Sequence, residues 1–231
     1  MDTASIFRIM SMTKPVTAAA AMFLYEEGRF TINTPVAELL PEFANVDVLV
    51  AAHGDTLETE PLDRPLTMRH LFTHTAGLSY GWNESDPVDR AYRRLQEESG
   101  IPSSQVTNEA LVQMLSQAPL AFQPGTRWRY SFAIDVIARI IEVISGQPLD
   151  VFFKERLFEP LGMVDTDFYV PEEKLDRLAC LYGRGDRDAP LELCEPGRTA
   201  ERTVKPAMLS GGGGLFSTAE DYTRFAQMLA C

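Results

Sequence analysis

The sequence predicts an α/β chain in which helix outweighs strand, and three observations carry that prediction. From Val16 to Tyr25 the only polar side chain is Thr17, Ala18 to Ala21 are strong helix formers, and Gly28 is a left-handed stop. Ile134, Ile137, Ile140, Ile141 and Ile144 recur at helical spacing and end at Gly146. Against these, only Asp165 to Val170 and Leu178 to Tyr182 read as strands.

The first helix is apolar nearly all round, which predicts that it lies in the interior. Pro15 is tolerated in its first turn, where the missing N–H would have had no partner. Ser11 and Lys14, three residues apart, then share one face and can touch. An amine kept out of water favours its neutral form and can take a proton from a neighbouring serine. The competing reading of this S-x-x-K pair is a helix cap beside a solvated charge.

From Leu39 to about Pro65 the chain reads as loop, through Pro41, Gly54, Pro61 and several acids. Thr67 caps a short helix, Met68 to Phe72. His70 and His74 have a metal-compatible i, i+4 spacing, but no third ligand accompanies them, so no metal is expected and His74 reads as a turn residue bonding backbone groups. Pro87 to Gly100 reads as an exposed helix of mixed charge. Thr107 caps the next helix, whose Leu111, Val112, Met114 and Leu115 form an apolar stripe before Pro119. Pro124 to Ser131 is a turn feeding the helix Phe132 to Ser145, which puts Tyr130 just before a packed helix. A shorter helix runs from Pro148 to Pro160.

Gly183 to about Pro206 reads as a surface excursion. Gly211 to Gly214 are four consecutive glycines, followed by a capping box at Ser217-Thr-Ala-Glu220 and a helix from Asp221 to Ala230. A P-loop needs Lys and Ser or Thr after its last glycine, where Leu215 and Phe216 stand, so neither nucleotide nor another cofactor is expected. The glycines instead imply close backbone approach, to a packed neighbour or to a ligand, which makes Gly212 and Gly213 candidate substrate-binding positions.

The 231 residues, 45% of them hydrophobic, suffice for one domain over 1–231. A net charge of -12 with no basic run argues against nucleic acid and anionic membrane surfaces as partners. No apolar run reaches the length of a membrane span, and the N-terminus lacks a signal-peptide layout. Cys180, Cys194 and Cys231 form a sparse, odd set that suits reduced thiols in a cytoplasm, with a Cys180 to Cys194 bridge as the alternative.

Five segments then come in a telling order: Phe7-Arg-Ile-Met-Ser-Met-Thr-Lys-Pro15, Leu71-Phe-Thr-His-Thr-Ala-Gly-Leu78, Pro124-Gly-Thr-Arg-Trp-Arg-Tyr-Ser131, Phe158-Glu-Pro-Leu-Gly-Met163 and Ser210-Gly-Gly-Gly-Gly-Leu-Phe-Ser-Thr218. In these the chain resembles the serine hydrolases related to class C β-lactamases, most closely their esterase branch, from about Ser5 to Leu229. The resemblance implies a β-lactamase/transpeptidase-like fold with Ser11 as the acylated nucleophile. Lys14 and Tyr130 would share the base role, and the Ser11 N–H would be one oxyanion donor.

Two departures qualify what the resemblance implies. Where β-lactamases and transpeptidases end the tyrosine motif in asparagine, this chain has Phe132, which cannot hydrogen-bond a substrate amide. That favours small-molecule esters with apolar groups, with Phe132 as a substrate contact. The family's third motif, Lys-Thr-Gly or His-x-Gly, should follow the glycine segment, and its early strands should precede Ser5. The expectation is therefore a partial domain, truncated at both ends, holding the helical portion and few sheet strands. The alternatives are a β-lactamase or D-amino-acid peptidase, or an inactive fragment acting as a binding module. The oligomeric state is left open.

Overall fold

The computed structural model describes residues 2–54, 56–185, 188–193 and 203–230. In order these form β1 (Ile6–Arg8), α1 (Thr13–Glu26), α2 (Val36–Leu39), β2 (Val48–His53), β3 (Thr56–Glu60), α3 (Met68–Phe72), α4 (Pro87–Ser99), α5 (Asn108–Ser116) and α6 (Ala133–Ser145). There follow α7 (Leu149–Phe153), a π-helical turn (Lys154–Phe158), α8 (Glu159–Leu161), β4 (Tyr182–Gly183), β5 (Glu192–Leu193), β6 (Phe216–Thr218) and α9 (Ala219–Ala230).

The isoleucine-rich α6 is the hub. Ala133, Ile134, Val136, Ile137, Ala138, Ile140 and Ile141 are all buried, so it presents apolar surface in most directions and packs against α1, α3, α5 and α7. A helix buried this widely fixes the relative placement of whatever is attached to its N-terminal end, and Tyr130 stands three residues before it.

The two ends of the described chain meet. β1 pairs antiparallel with β6, with Phe7 opposite Ser217, and Ile6 also bridges Leu178 while Asp167 bridges Phe216. This pairing lays the glycine segment against the entry to α1. No helix among the described residues is long and apolar enough to cross a membrane.

Most helix signals are borne out. Asp221 and Ala110 donate backbone N–H groups to the hydroxyls of Thr218 and Thr107, and Gly28, Gly100 and Gly146 adopt the left-handed stops at φ +70°, +63° and +70°. Several expectations are corrected. α1 is not interior all round: Val16, Thr17, Ala20, Ala21 and Leu24 are buried, whereas Met22 and Tyr25 reach the surface. α4 buries Val88, Asp89, Ala91 and Tyr92 rather than lying on the surface as a solvated rod. Residues 39–65, read as loop, contain the β2–β3 hairpin. Its signal was hidden because β3, Thr-Leu-Glu-Thr-Glu, is almost wholly exposed, β2 buries only Val48 fully, and the register shifts between Leu49 and Ala51.

Asp165 to Val170 is not a strand and contributes one bridge through Asp167, while Leu178 to Tyr182 forms one bridge at Leu178 and is strand only at its last residue, Tyr182, which opens β4 opposite Leu193. The short β6 was missed because it fills the gap between glycines and cap. The α9 cap is Thr218 rather than Ser217, whose hydroxyl is held 2.8 Å from that of Thr166. Cys180 is exposed; Cys194 and Cys231, and with them the considered bridge, lie outside the described residues.

Candidate active site

Ser11 occupies the middle of a 3-10 turn, Met10–Met12, that leads directly into α1, and its side chain is exposed. Met10 is held at φ +46°, a left-handed conformation that a side chain with a Cβ rarely adopts. Such local strain persists only where neighbours over-determine it, and here they do. The Ile9 N–H donates to the Leu215 carbonyl at 3.1 Å and the Leu215 N–H donates to the Thr13 hydroxyl at 3.2 Å.

Ser11 and Lys14 are brought together as the one-turn spacing requires, the ammonium donating to Ser11 Oγ at 3.1 Å. Tyr130, 119 positions along the chain, donates its hydroxyl to the same Oγ at 2.6 Å. Lys14 Nζ also lies 4.5 Å from the centre of the Tyr130 ring and 5.6 Å from that of Tyr80. Burial works against ionising the Tyr130 phenol, but the contacts with Lys14 and Ser11 and the Lys14 charge outweigh it, so its pKa is lowered. A hydroxyl, a cation and an acidified phenol thus meet at one oxygen, an arrangement able to take a proton from Ser11 and hand it on.

The glycine segment is the scaffold beneath this corner. Thr17 Oγ1 donates to the Gly211 carbonyl at 2.8 Å, and a Cβ on Gly211 would stand 2.7 Å from Ala138 Cβ. Gly212 accepts Lys14 Nζ on its carbonyl at 2.6 Å and donates its N–H to Asp135 Oδ1 at 3.0 Å. Both its backbone polar groups are therefore engaged within the protein. A Cβ on Gly212 would fall 2.3 Å from Asp135 Oδ2, so the site requires glycine on packing grounds. Around Gly213 the nearest atom to such a Cβ is 3.8 Å away, at Met10 of the 3-10 turn that holds Ser11.

Asp135 was not singled out in the sequence, where it is one acid in an apolar helix. It is buried, accepts the Ser210 hydroxyl at 2.6 Å as well as the Gly212 N–H, and leaves Oδ2 with no partner. Burial raises its pKa, opposed by the hydrogen bonds from Ser210 and Gly212 and by the Lys14 charge.

A second set that sequence reasoning missed is aromatic. The Tyr80 ring packs 5.4 Å from Tyr130 and 4.5 Å from Phe132, and Trp82 stacks flat on Tyr80 at 4.2 Å. His74 lies 4.9 Å from Tyr130 and 6.2 Å from Trp128. Tyr80 and Tyr130 are 50 positions apart, so no sequence period could link them. Phe132 does reach a largely apolar space: a cavity of about 360 Å³ is lined by Phe132, Tyr80, Tyr92, Met114 and Met208 among others, with Arg93, Gln96 and Glu97 also in its wall. Burial, then the charges of Asp135 and Tyr130, push the Tyr80 phenol up, which keeps it neutral.

The two histidines of the i, i+4 pair do separate jobs. His70 Nδ1 accepts the Thr67 N–H at 3.1 Å and so completes the α3 cap. His74, in the left-handed region at φ +54°, places Nδ1 3.4 Å from Ser131 Oγ and uses its backbone in the turns around α3. Burial and then the nearby Lys14 charge lower its pKa to about 4.

The family described as Beta-lactamase matches residues 1–230. The chain is 40% identical over 229 residues to Protein Rv1367c of Mycobacterium tuberculosis, covering 99% of this chain and 55% of that protein. It is 33% identical over 242 residues to Esterase EstB of Burkholderia gladioli, covering 95% of this chain and 56% of the esterase. Among solved structures, EstCE1, described as a hydrolase with promiscuous acyltransferase activity, superposes with a TM-score of 0.80 at 31% identity, covering 99% of this chain and 60% of that one. The chain thus spans a little over half the length of the curated relatives it matches. Its fold is β-lactamase/transpeptidase-like, and with a match along nearly its whole length the chain belongs to the Beta-lactamase family, with esterase and acyltransferase relatives.

Proposed function

We propose that this protein is a serine hydrolase that cleaves small carboxylic esters through an acyl-enzyme on Ser11. The observation that carries the reading is the convergence on Ser11 Oγ of the Tyr130 hydroxyl at 2.6 Å and Lys14 Nζ at 3.1 Å. With Tyr130 ionised and Lys14 charged, the phenolate takes the serine proton as Oγ bonds to the ester carbonyl carbon. The tetrahedral oxyanion faces the Ser11 N–H. As the carbon–oxygen bond to the alcohol breaks, Tyr130 returns the proton to the leaving oxygen. Water then attacks the acyl-serine by the same route, releasing the acid and restoring Ser11.

Phe132 and the largely apolar cavity beside it support an apolar acyl or alcohol group over an amide-bearing one. The names of EstB and EstCE1, an esterase and a hydrolase, agree with ester chemistry. The test is to incubate the protein with p-nitrophenyl butyrate and map the butyryl adduct by peptide mass spectrometry. The adduct is expected on Ser11 and absent from Ser11→Ala; an adduct elsewhere, or undiminished turnover by Ser11→Ala, overturns the proposal.

A further inference from the structure

The chain has two tryptophans. Both stand at the surface beside Tyr130, Trp82 at 70% and Trp128 at 66% exposure, with ring centres 6.4 Å and 6.2 Å from that of Tyr130. They approach it from separate groups of rings. Trp82 stacks on Tyr80, within 3° of parallel, and Tyr80 packs on Tyr130 and Phe132. Trp128 meets the edge of His74, which leans on Tyr130. Among the ring contacts of the described residues, Tyr130 is the member common to both groups, so it is flanked by an exposed indole on either count.

This placement bears on the substrate, on the ester-hydrolase reading above. Tyr130 hands its proton to the departing oxygen, so the alcohol portion of the ester lies against Tyr130 and therefore beside the rings that surround it. Large exposed rings gain by covering one another, and offset or edge-to-face aromatic pairs gain beyond the area they bury. A cationic alcohol is disfavoured, because the Lys14 ammonium already sits 4.5 Å from the Tyr130 ring centre and 5.6 Å from that of Tyr80. We propose that Trp82 and Trp128 line a leaving-group subsite that selects esters of neutral aromatic alcohols.

Benzyl acetate and cyclohexylmethyl acetate share an acyl group and have alcohols of similar size and acidity, so they isolate the ring. Because both tryptophans lie at the subsite, the intrinsic fluorescence of the protein reports its occupancy. In the Ser11→Ala protein, benzyl acetate is expected to change the emission saturably at about tenfold lower concentration than cyclohexylmethyl acetate. In the protein with Ser11 intact, replacing both indoles (Trp82→Ala, Trp128→Ala) is expected to lower the ratio of kcat/KM for benzyl over cyclohexylmethyl acetate about tenfold. Equal binding of the two esters, or a ratio that the double substitution leaves unchanged, overturns the subsite. A benzyl preference in binding without turnover of either ester by the unsubstituted protein keeps the subsite and overturns the hydrolase reading instead.

Discussion

Asp135 Oδ1 accepts the N–H of Gly212 at 3.0 Å, and the carbonyl of the same glycine receives the ammonium of Lys14 at 2.6 Å. A buried carboxylate on α6 is thereby coupled, through one glycine, to the cation on α1. The two peptide units flanking the Gly212 Cα carry the link, one donating its N–H to Asp135 and the next accepting Lys14 on its carbonyl, and the Lys14 charge also acts on Asp135 through space. Asp135 is a positioning residue on this view, and it also places negative charge near Tyr130, which raises the phenol's pKa against the larger lowering by Lys14 and Ser11.

Replacing that carboxylate tests the coupling. In Asp135→Asn the charge that opposes Tyr130 ionisation is gone, so the acidic limb of the kcat/KM profile for p-nitrophenyl acetate is expected to move to lower pH. The looser hold on Lys14 is expected to lower the plateau about tenfold or more. A profile with an unmoved acidic limb would show that Asp135 serves packing alone.

The two groups that meet at Ser11 Oγ are expected to behave as a unit with it. Lys14→Ala and Tyr130→Phe should each reduce kcat/KM on the order of a thousandfold, and the double variant should lose little more than either one. Steady-state kinetics on the single and double variants checks this. Losses that multiply would mean that the two side chains act independently.

Gly212 and Gly213 are neighbours with opposite tolerance. Gly212→Ala drives a Cβ into Asp135 Oδ2, 2.3 Å away, and the overpacking is expected to cost about 1–3 kcal/mol. Gly213→Ala meets nothing closer than 3.8 Å and is expected to stay within about 0.5 kcal/mol of the parent. Urea denaturation of the two proteins decides it, and comparable losses would contradict the packing derived for this segment.

His74 gives the fold an acid dependence of defined sign. Its folded pKa is about 4, below an ordinary value of 6.5. The unfolded chain therefore takes up the proton first, so this contribution to stability is complete above pH 6.5 and is lost as pH falls towards 4. The side chain is half-buried, so solvent screening reduces the size of the effect without changing its sign. His74→Gln is expected to flatten the decline of the urea midpoint between pH 7 and pH 4.5; an equally steep decline would assign the acid sensitivity to other groups.

What the sequence determined by itself was everything governed by local spacing. Ser11 and Lys14 meet because a helix repeats every few residues, the stops at Gly28, Gly100 and Gly146 follow from the freedom of glycine, and the α6 core follows from its isoleucines. The order of the five segments, and with it the family, was equally legible. The β2–β3 hairpin and β6 were not, because short or solvent-facing strands lack an apolar alternation to announce them. Tertiary structure alone decided the rest of the site: Asp135 beneath Gly212, the His74 ring on Tyr130, and Tyr80, Trp82 and Trp128 around the phenol. Apart from Trp128, which is two positions from Tyr130, those contacts join residues tens of positions apart, and their partners are chosen by how α1, α6 and the glycine segment pack, which no period along the chain encodes.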